Sequence, residues 1–573
     1  MAQYRAARIA GPKFSQCFGN AYNDDDTVTI TANLTTSDSV VLTDTLSSID
    51  FNGGLSTTTL SVAAKPFALS LRGLVSVNNA TTFANTGALQ FGGVESDDMH
   101  FAGGLTATAP SAITLAGVLR SDDAAITLGS INSTINLAEM TDINSGAGSL
   151  RLVSPVSASA YRLRLLSTGA TTLDGNISST GVLRFVGPLT FSNSATLTAA
   201  SFDFGSSVSF GGSSTITAGT TTFGGAVIAA GDLTMNGATV VNGGSVDAGS
   251  HKQTYNGSVT VGGLSTSTTT FTGAGITFGS TLDGTSRVVV ADSGATTYSG
   301  AIGATTAPAH FETDAAGSST FSGGTVRTSS PNSIYIADDA VVTTDTTFDT
   351  TNNGALTTGA NITFAKTLNG TGNGLQAVTI NAGTAGAVLV TGTIGNSVPL
   401  STLTLTNSNG ATFSSAVTTG TSVVLTDTTD GQVIRFAGNL STPLLITTAQ
   451  AYMLELVGAN TSITGANVTN FANTGALKLG NLVGDSLSFT GGLTATAPSS
   501  ISTAGQISTS GAAFQGTLAE AKRRSGVRRI LCQAAEGGGM QLLVESPGRA
   551  EAALARSVLE ISFREQARLL ARS

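Results

Sequence analysis

The chain has 573 residues, of which 70 are Gly, none is Trp, 11% are charged and 40% are apolar. This apolar content, regularly spaced as Val, Ile, Leu and Phe, excludes a disordered low-complexity chain. No run approaches the roughly 18 consecutive apolar residues of a membrane-spanning helix.

The charge is divided unevenly along the chain, whose net charge is −9. Residues 1–519 hold 16 of the 26 Lys and Arg and 29 of the 35 Asp and Glu, which leaves this region at −13. Residues 520–573 hold 10 basic and 6 acidic residues and so carry +4. An acidic body without a basic stripe excludes nucleic acid as a partner.

The first predicted element is an irregular N-terminal segment, 1–27. It starts MAQYRAARIAGPKF, and its basic residues are not followed by the apolar core of a secretory signal peptide. We therefore expect the chain to be a fragment of a larger gene product or a degenerate copy. Cys17 and Cys532 are the two cysteines. We expect free thiols, because pairing would need the ends of an elongated body to meet.

A repeat body follows over residues 28–515. It consists of short runs such as SVVLTDT at Ser39 and STLTLTNS at Ser401, in which apolar residues alternate with Thr or Ser. This period-two pattern is typical of strands with one buried face. Gly and Asn separate the runs, with Asn-Gly pairs at positions such as Asn236-Gly237. No helical periodicity interrupts the pattern, so the body is predicted to be all-β.

The body contains internal copies. FAGGLTATAPS at Phe101 recurs as FTGGLTATAPS at Phe489, an offset of 388, and outward alignment makes module 39–117 a copy of 422–505. A second module appears at 241–328 and again at 321–417, as in ITFGSTLDGT and ITFAKTLNGT. Insertions fall at a few points between the matched runs, as expected for loops between structural repeats.

These features predict a right-handed parallel β-helix, a solenoid whose short strands stack on their equivalents in the next coil. Small and β-branched residues would fill its narrow interior, and Gly and Asn would serve its turns. A propeller and a tandem β-sandwich array also use Asn-Gly turns. The sandwich array is the runner-up. The short strands and the lack of an aromatic or Cys anchor in the modules argue against it.

A basic, partly helical tail is predicted over 516–573. The β pattern fails near Leu518, and Leu559, Phe563, Ala567 and Leu570 follow helical spacing. Exposed coil edges invite self-association at the ends of a solenoid, so a helical lid is one interpretation. A frameshifted terminus is the other.

Several phrases resemble the repeat units of large bacterial surface proteins. They are VNGGSV at Val241, QTYNGSVTVG at Gln253, ITFGSTLDG at Ile276, TTYSGAIG at Thr296 and FANTGAL at Phe471. The families concerned are the filamentous-haemagglutinin-like exoproteins, autotransporter passengers and β-strand-repeat adhesins. The resemblance covers about residues 39–515. It implies export, an extracellular or outer-membrane location and adhesion.

Runs of carboxylates are the candidate acid-base residues: Asp24-Asp25-Asp26, Asp97-Asp98, Asp122-Asp123 and Asp338-Asp339. Enzymes that cleave polysaccharides need two carboxylates a few ångströms apart. Each run falls where a turn is predicted, and Asp97-Asp98 becomes Asp485-Ser486 in the other module copy. We therefore predict turn residues and assign no catalytic residue.

The remaining candidates also favour structural roles. His100, His251 and His310 are expected to be lone surface residues. Phe278, Phe321, Phe364 and Phe413 are predicted to be core residues and not a sugar platform. No calcium-binding nonapeptide or EF-hand loop occurs, so no metal or cofactor is assigned and weak calcium binding at loop carboxylates stays open.

The sequence thus favours a non-enzymatic surface or secreted protein with an adhesive or structural role. It would bind a glycan or another cell-surface ligand by many weak contacts along the solenoid. One alternative is a β-helix polysaccharide hydrolase or lyase, which would need a carboxylate cluster on one face of consecutive coils. The other is a non-functional gene fragment.

Overall fold

The chain folds as an all-β parallel solenoid of about 23 turns, with no helix in the described part. The structure is a computed structural model that describes residues 7–11, 14–18, 27–42, 47–329, 333–510, 514–516, 529–534 and 540–545. The predicted parallel β-helix is confirmed, because the strands of one coil pair in parallel with those of the next. Its right-handed sense stays a prediction. Within these ranges no helix has the length and hydropathy to span a membrane.

The chain divides into two compact units, Met1–Gly262 with Thr269–Gly275, and Gly263–Thr268 with Ile276–Ser573. In each unit the coils contribute rungs to three ladders, which we name A, B and C in the first unit and D, E and F in the second.

The first unit contains three ladders that follow one another around each coil. Ladder A consists of Ser39–Leu42, Thr59–Val62, Thr81–Thr82, Leu105–Ala107, Ile126–Leu128, Leu150–Leu152, Thr171–Leu173, Leu189–Phe191, Val208–Phe210, Val227–Ala229, Ser245–Asp247 and Thr268–Gly273. Ladder B consists of Thr27–Ile30, Ser48–Phe51, Ala68–Leu71, Leu89–Phe91, Val156–Ser159, Ile177–Ser179, Thr196–Thr198 and Gln253–Tyr255. Ladder C consists of Leu34–Thr35, Leu55–Thr57, Leu74–Val77, Asp98–Phe101, Leu163–Leu165, Val182–Phe185, Ser201–Phe204 and Val259–Val261. Longer strands pass from ladder B into ladder C, namely Ile113–Arg120, Ile135–Asn144, Ser214–Phe223 and Leu233–Val241.

The second unit is built in the same way. Ladder D consists of Arg287–Asp292, His310–Thr313, Ile334–Ile336, Ile362–Phe364, Val388–Val390, Ala411–Phe413, Val433–Phe436, Met453–Leu456, Leu477–Leu479 and Ile501–Thr503. Ladder E consists of Ile276–Phe278, Ala295–Tyr298, Ser318–Phe321, Asp339–Val342, Leu368–Asn369, Leu440–Thr442, Asn460–Ile463, Ser486–Phe489 and Gly505–Thr509. Ladder F consists of Leu282–Gly284, Thr325–Arg327, Thr346–Asp349, Val378–Asn381, Leu400–Asn407, Leu444–Thr447, Thr469–Asn470, Leu493–Ala495 and Phe514–Gly516. The strand Val417–Leu425 serves both E and F.

The core forms because alternate side chains of each strand point inward. In Ser201–Phe204, Phe202 and Phe204 are buried while Ser201 and Asp203 are partly exposed. Phe204 stacks on Phe185 of the preceding rung at 5.2 Å and on Phe223 of the next at 5.3 Å. Such aromatic pairs contribute about 0.5–1.5 kcal/mol beyond the area they bury. Repeating one residue type on successive rungs therefore stabilises the stack.

The Asn236-Gly237 pair shows why Asn-Gly did not signal a hairpin here. It lies inside the strand Leu233–Val241, at the point where the strand leaves ladder B and enters ladder C. Gly237 has φ 108°, and a Cβ there would lie 1.8 Å from the backbone oxygen of Ala218. The glycine therefore serves a tight corner between stacked coils.

Two antiparallel hairpins complete the described strands. Ala7–Gly11 pairs with Phe14–Phe18, and Arg529–Ala534 pairs with Met540–Glu545, which also pairs antiparallel with Gly505–Thr509. Part of the predicted tail is therefore β-structure laid on an open strand edge, which corrects the expectation that the β pattern ends near residue 518. The helix predicted from residue 549 onward lies outside the described residues. The side chains of Cys17 and Cys532 also lie outside them, so free thiols stay a prediction.

Candidate functional site

One outward position of ladder B is polar on nine successive rungs of the first unit. It comprises, each in register with the next, Ser70, Gln90, Thr114, Asn136, Ser157, Ser178, Thr198, Thr217 and Asn236. We call this set the polar column. Because neighbouring strands lie about 4.8 Å apart, the column is about 38 Å long.

The polar column offers donors and acceptors without charge. Its exposed members include Ser157, Ser178 and Thr198. Further along, Asn236 Nδ2 donates to Thr217 Oγ1 at 3.0 Å, so neighbouring rungs also orient each other. A hydroxyl both donates and accepts, so such a row can exchange hydrogen bonds with a ligand rich in hydroxyl groups.

Ladder A presents a less regular outward row. Thr172, Thr190 and Ser209 are in register there, but the row is interrupted by Arg151 on one side and Ile228 on the other. The uninterrupted polar surface therefore belongs to ladder B.

Ladder C carries a different outward surface, which we call the charged stripe. It consists of Glu95, Asp98, His100, Arg120, Asp122, Asp142, Arg162, Arg164, Arg184 and Asp203.

Two carboxylates of the stripe are held by guanidinium groups. Arg120 Nε and Nη2 donate to the two oxygens of Asp98 at 2.9 and 3.0 Å. Arg164 makes the same kind of two-point contact with Asp142, its Nε donating at 2.7 Å. Hydrogen bonding to the carboxylate raises the pKa of Arg120 and of Arg164. These groups are charged and oriented by each other.

The other contacts of the stripe include one short contact and two longer ones. His100 Nε2 lies 2.9 Å from Asp122 Oδ1. Arg162 lies 3.6 Å from Glu95, and Arg184 lies 3.3 Å from Asp203. These side chains reach solvent, so their partners can be exchanged.

The fold does not require the charges of the stripe. In the other module copy Ser486 and Ser488 hold the strand positions of Asp98 and His100, and just beyond the copy Ser508 holds that of Arg120. Both strands, Asp98–Phe101 and Ser486–Phe489, have the same alternation of partly exposed and buried residues. The charged side chains are thus added to a rung that forms without them.

The carboxylate pair Asp97-Asp98 is split between two roles. Asp97 lies in the loop, as predicted, where its Oδ2 accepts the backbone N–H of Gly93 at 2.7 Å. Asp98 begins a strand and pairs with Arg120, so the prediction of a turn residue is wrong for Asp98. The loop closes through Asp97 alone, which frees Asp98 for the outer face.

The other acidic runs do not meet at one site. Asp122 and Asp123 occupy a turn, and Asp123 Oδ1 accepts the backbone N–H of Ala147 at 2.7 Å. Asp338 is buried before a strand and Asp339 lies in that strand, which corrects the turn prediction for Asp339. Asp24, Asp25 and Asp26 lie outside the described residues.

The histidine expectation holds in part. His251 is exposed, but His310 is 4% exposed, with Nε2 at 3.0 Å from Glu312 Oε2. The expectation of a surface residue is therefore wrong for His310, because its ring is enclosed beside a carboxylate that accepts its hydrogen bond.

The phenylalanine prediction is confirmed. The rings of Phe278, Phe321, Phe364 and Phe413 are all buried. Phe278 and Phe321 stack on opposite sides of Tyr298, at 5.5 and 5.0 Å. These rings form the core and cannot serve as a sugar platform.

Among the residues that the structure describes, no three His, Cys, Asp or Glu side chains are grouped as a metal site would need. Sequence reasoning missed both the polar column and the charged stripe. Only the two module copies gave a signal, since Asp98, His100 and the aligned serines differ on equivalent rungs. Comparisons with protein-family models, curated proteins and solved structures give no match to this chain.

Proposed function

We propose that the protein is a non-enzymatic surface or secreted protein with an adhesive or structural role, and that ladder B of the first unit is its glycan-binding face. An extracellular or outer-membrane location in a bacterium belongs to this proposal. The observation that carries it is the polar column, which repeats uncharged hydrogen-bonding groups on nine successive rungs.

The spacing of the column explains how weak contacts could add up. A single hydrogen bond contributes about 0.5–1.5 kcal/mol net. An extended sugar chain lying along the column would meet a new hydroxyl or amide about every 4.8 Å. Once one sugar is held, the next contacts form at high effective concentration, so affinity rises with the number of rungs used.

The test is binding of the full chain to cellulose, to chitin and to a printed panel of oligosaccharides. A triple variant, S157A with S178A and T198A, removes three adjacent hydroxyls of the column. We expect it to bind at least about tenfold more weakly, since about 1.4 kcal/mol corresponds to a factor of ten. The matched control, T172A with T190A and S209A, removes three hydroxyls from ladder A and should bind as the wild type does. Equal loss in both variants would overturn the proposal, as would no wild-type binding.

A polysaccharide hydrolase or lyase is the second candidate, because Asp98 and Asp142 share one column of ladder C, two rungs apart. Their backbones are thus about 9.6 Å apart, near the roughly 6.5–9.5 Å carboxyl separation of inverting glycosidases. Each carboxylate, however, is already held by a guanidinium group. That arrangement suits binding better than proton donation to a leaving group.

Product analysis separates the two candidates. We expect no new reducing ends and no unsaturated sugars after incubation of the protein with the same polysaccharides. If the wild type forms product and Asp98→Asn or Asp142→Asn does not, the enzymatic proposal replaces the binding proposal.

A further inference from the structure

The charged stripe is mainly acidic over its first three rungs and mainly basic over its last three. The first three rungs and their loops carry Glu95, Asp98, Asp122 and Asp142 with one cation, Arg120, whereas the last three carry Arg162, Arg164 and Arg184 with one carboxylate, Asp203. A surface of this kind has a direction along the ladder. Any partner that covers it has to present the opposite order of charges.

Apolar side chains lie beside the stripe. Leu74, Val94, Met140 and Val182 are between 38% and 70% exposed. Leu74 is in register with Asp98. Val94 directly precedes Glu95 in a loop, and Met140 and Val182 each lie two positions before a stripe residue within a strand. Exposed apolar groups next to paired charges are typical of protein interfaces. We call the stripe together with these four residues the mixed patch.

We infer that the mixed patch is a contact face for a second molecule of this chain in an antiparallel two-fold arrangement. In such a pair residue i meets residue j and residue j meets residue i. Reversing the direction of the second molecule places the mainly acidic half of each patch against the mainly basic half of the other, twice. A parallel arrangement would place like charges together and repel. The patch is therefore complementary to itself in one orientation.

Glu95 and Arg184 are the groups best placed to make the intermolecular pairs. Their side chains are 59% and 56% exposed, and their internal contacts are long, at 3.6 Å to Arg162 and 3.3 Å to Asp203. Asp98 and Arg120, by contrast, already bind each other through two hydrogen bonds. The patch is narrow, so we expect a weak dimer at the small end of interface sizes, with a Kd of roughly micromolar or above.

Sedimentation equilibrium of the full chain at low and high salt tests this inference. We expect a reversible dimer that weakens as salt is added, because salt screens exposed charges. Glu95→Arg alone and Arg184→Glu alone should each weaken association at least about tenfold, since each brings like charges together. An equimolar mixture of the two variants should associate again, because both intermolecular pairs then join opposite charges, one with the wild-type residues and one with reversed sign.

Arg151→Glu is the matched control. Arg151 is also 56% exposed and paired with a carboxylate, but it lies on ladder A. It should leave association unchanged, and circular dichroism should show all variants folded. A monomer at both salt concentrations would overturn the inference, as would a dimer indifferent to E95R and R184E or a mixture that fails to associate. If Arg184→Glu weakens the binding of polygalacturonate and leaves the dimer unchanged, the mixed patch is a binding site for an anionic polysaccharide instead.

Discussion

Asp97 and Asp485, 388 positions apart, close two loops with the same hydrogen bonds. One carboxylate oxygen of each accepts the backbone N–H groups four and three residues before it. The distances are 2.7 and 3.3 Å for Asp97 and 2.7 and 2.9 Å for Asp485. What the two module copies keep is therefore a loop closure, while the neighbouring Asp98 is replaced by Ser486.

Asp97→Ala should destabilise the first unit by about 1–3 kcal/mol, because two backbone N–H groups lose their acceptor in a partly buried loop. Asp98→Ser, the residue that the other module copy uses, should change the free energy of unfolding by less than about 0.5 kcal/mol. Urea titration measures the change, and hydrogen exchange over 92–97 should locate it. A larger cost for Asp98→Ser than for Asp97→Ala would show that the assignment of the two carboxylates is reversed.

Gly117→Ala should be costly as well. Gly117 has φ 74°, and a Cβ there would lie 2.3 Å from the backbone oxygen of Asp97. A left-handed conformation alone costs an ordinary residue about 1–3 kcal/mol, and the clash adds to it. Gly505, the equivalent glycine, has φ 80° and the same 2.3 Å approach to Asp485, so Gly505→Ala should behave alike.

Gly484→Ala is the control for both glycines. A Cβ at Gly484 would meet nothing within 4 Å. We expect a change in the free energy of unfolding within about 0.5 kcal/mol. Similar unfolding midpoints for all three variants would contradict the packing of the coils described above.

Asp338 should make stability depend on pH. Its carboxylate is 3% exposed and accepts hydrogen bonds from Thr313 Oγ1 at 2.8 Å and Ser319 Oγ at 2.7 Å. Desolvation nevertheless raises the pKa of Asp338 above its ordinary 3.8. The folded state then holds this proton longer than the unfolded state, so the associated stability is present below about pH 3.8 and is lost as pH rises through the folded pKa.

Asp338→Asn removes that dependence, so the variant should gain stability relative to the wild type as pH rises from about 3.5 to 7. Asp339 provides the opposite sign. The hydrogen bond from Thr367 lowers the pKa of Asp339, so its stabilisation is present above about pH 3.8 and is lost in acid. Asp339→Asn should therefore lose stability relative to the wild type over the same range. Urea titrations at several pH values give both curves, and parallel curves for the two variants would contradict this account.

The sequence predicted the strands and their inward residues because period-two alternation is local. Phe278 and Phe413 could be placed in the core from their neighbours alone. The outward columns could not be predicted, because 24 residues separate Gln90 from Thr114 but only 19 separate Thr198 from Thr217. Loop length changes from coil to coil, so the register between rungs is set by strand pairing and not by a fixed period. A column of side chains is therefore visible only after folding.

The copied module is the feature of the sequence from which part of the site could have been predicted. Its conserved Asp97 and Asp485 identify loop closure, and its changed positions identify the outer face of a rung. The burial of His310 lay beyond such reasoning, since it depends on Glu312 and on Ser333 from a neighbouring coil.

Ligand binding by the polar column is expected to be shared among its rungs. The most direct measurement is the dissociation constant on immobilised chitin or cellulose, whichever the wild type binds more tightly, for S157A, for S157A with S178A, and for these two with T198A. Because the contacts are weak and repeated, each added substitution should raise the Kd by a similar factor, about two- to tenfold per hydroxyl. A Kd that collapses with one substitution, or that stays constant through all three, would contradict the claim.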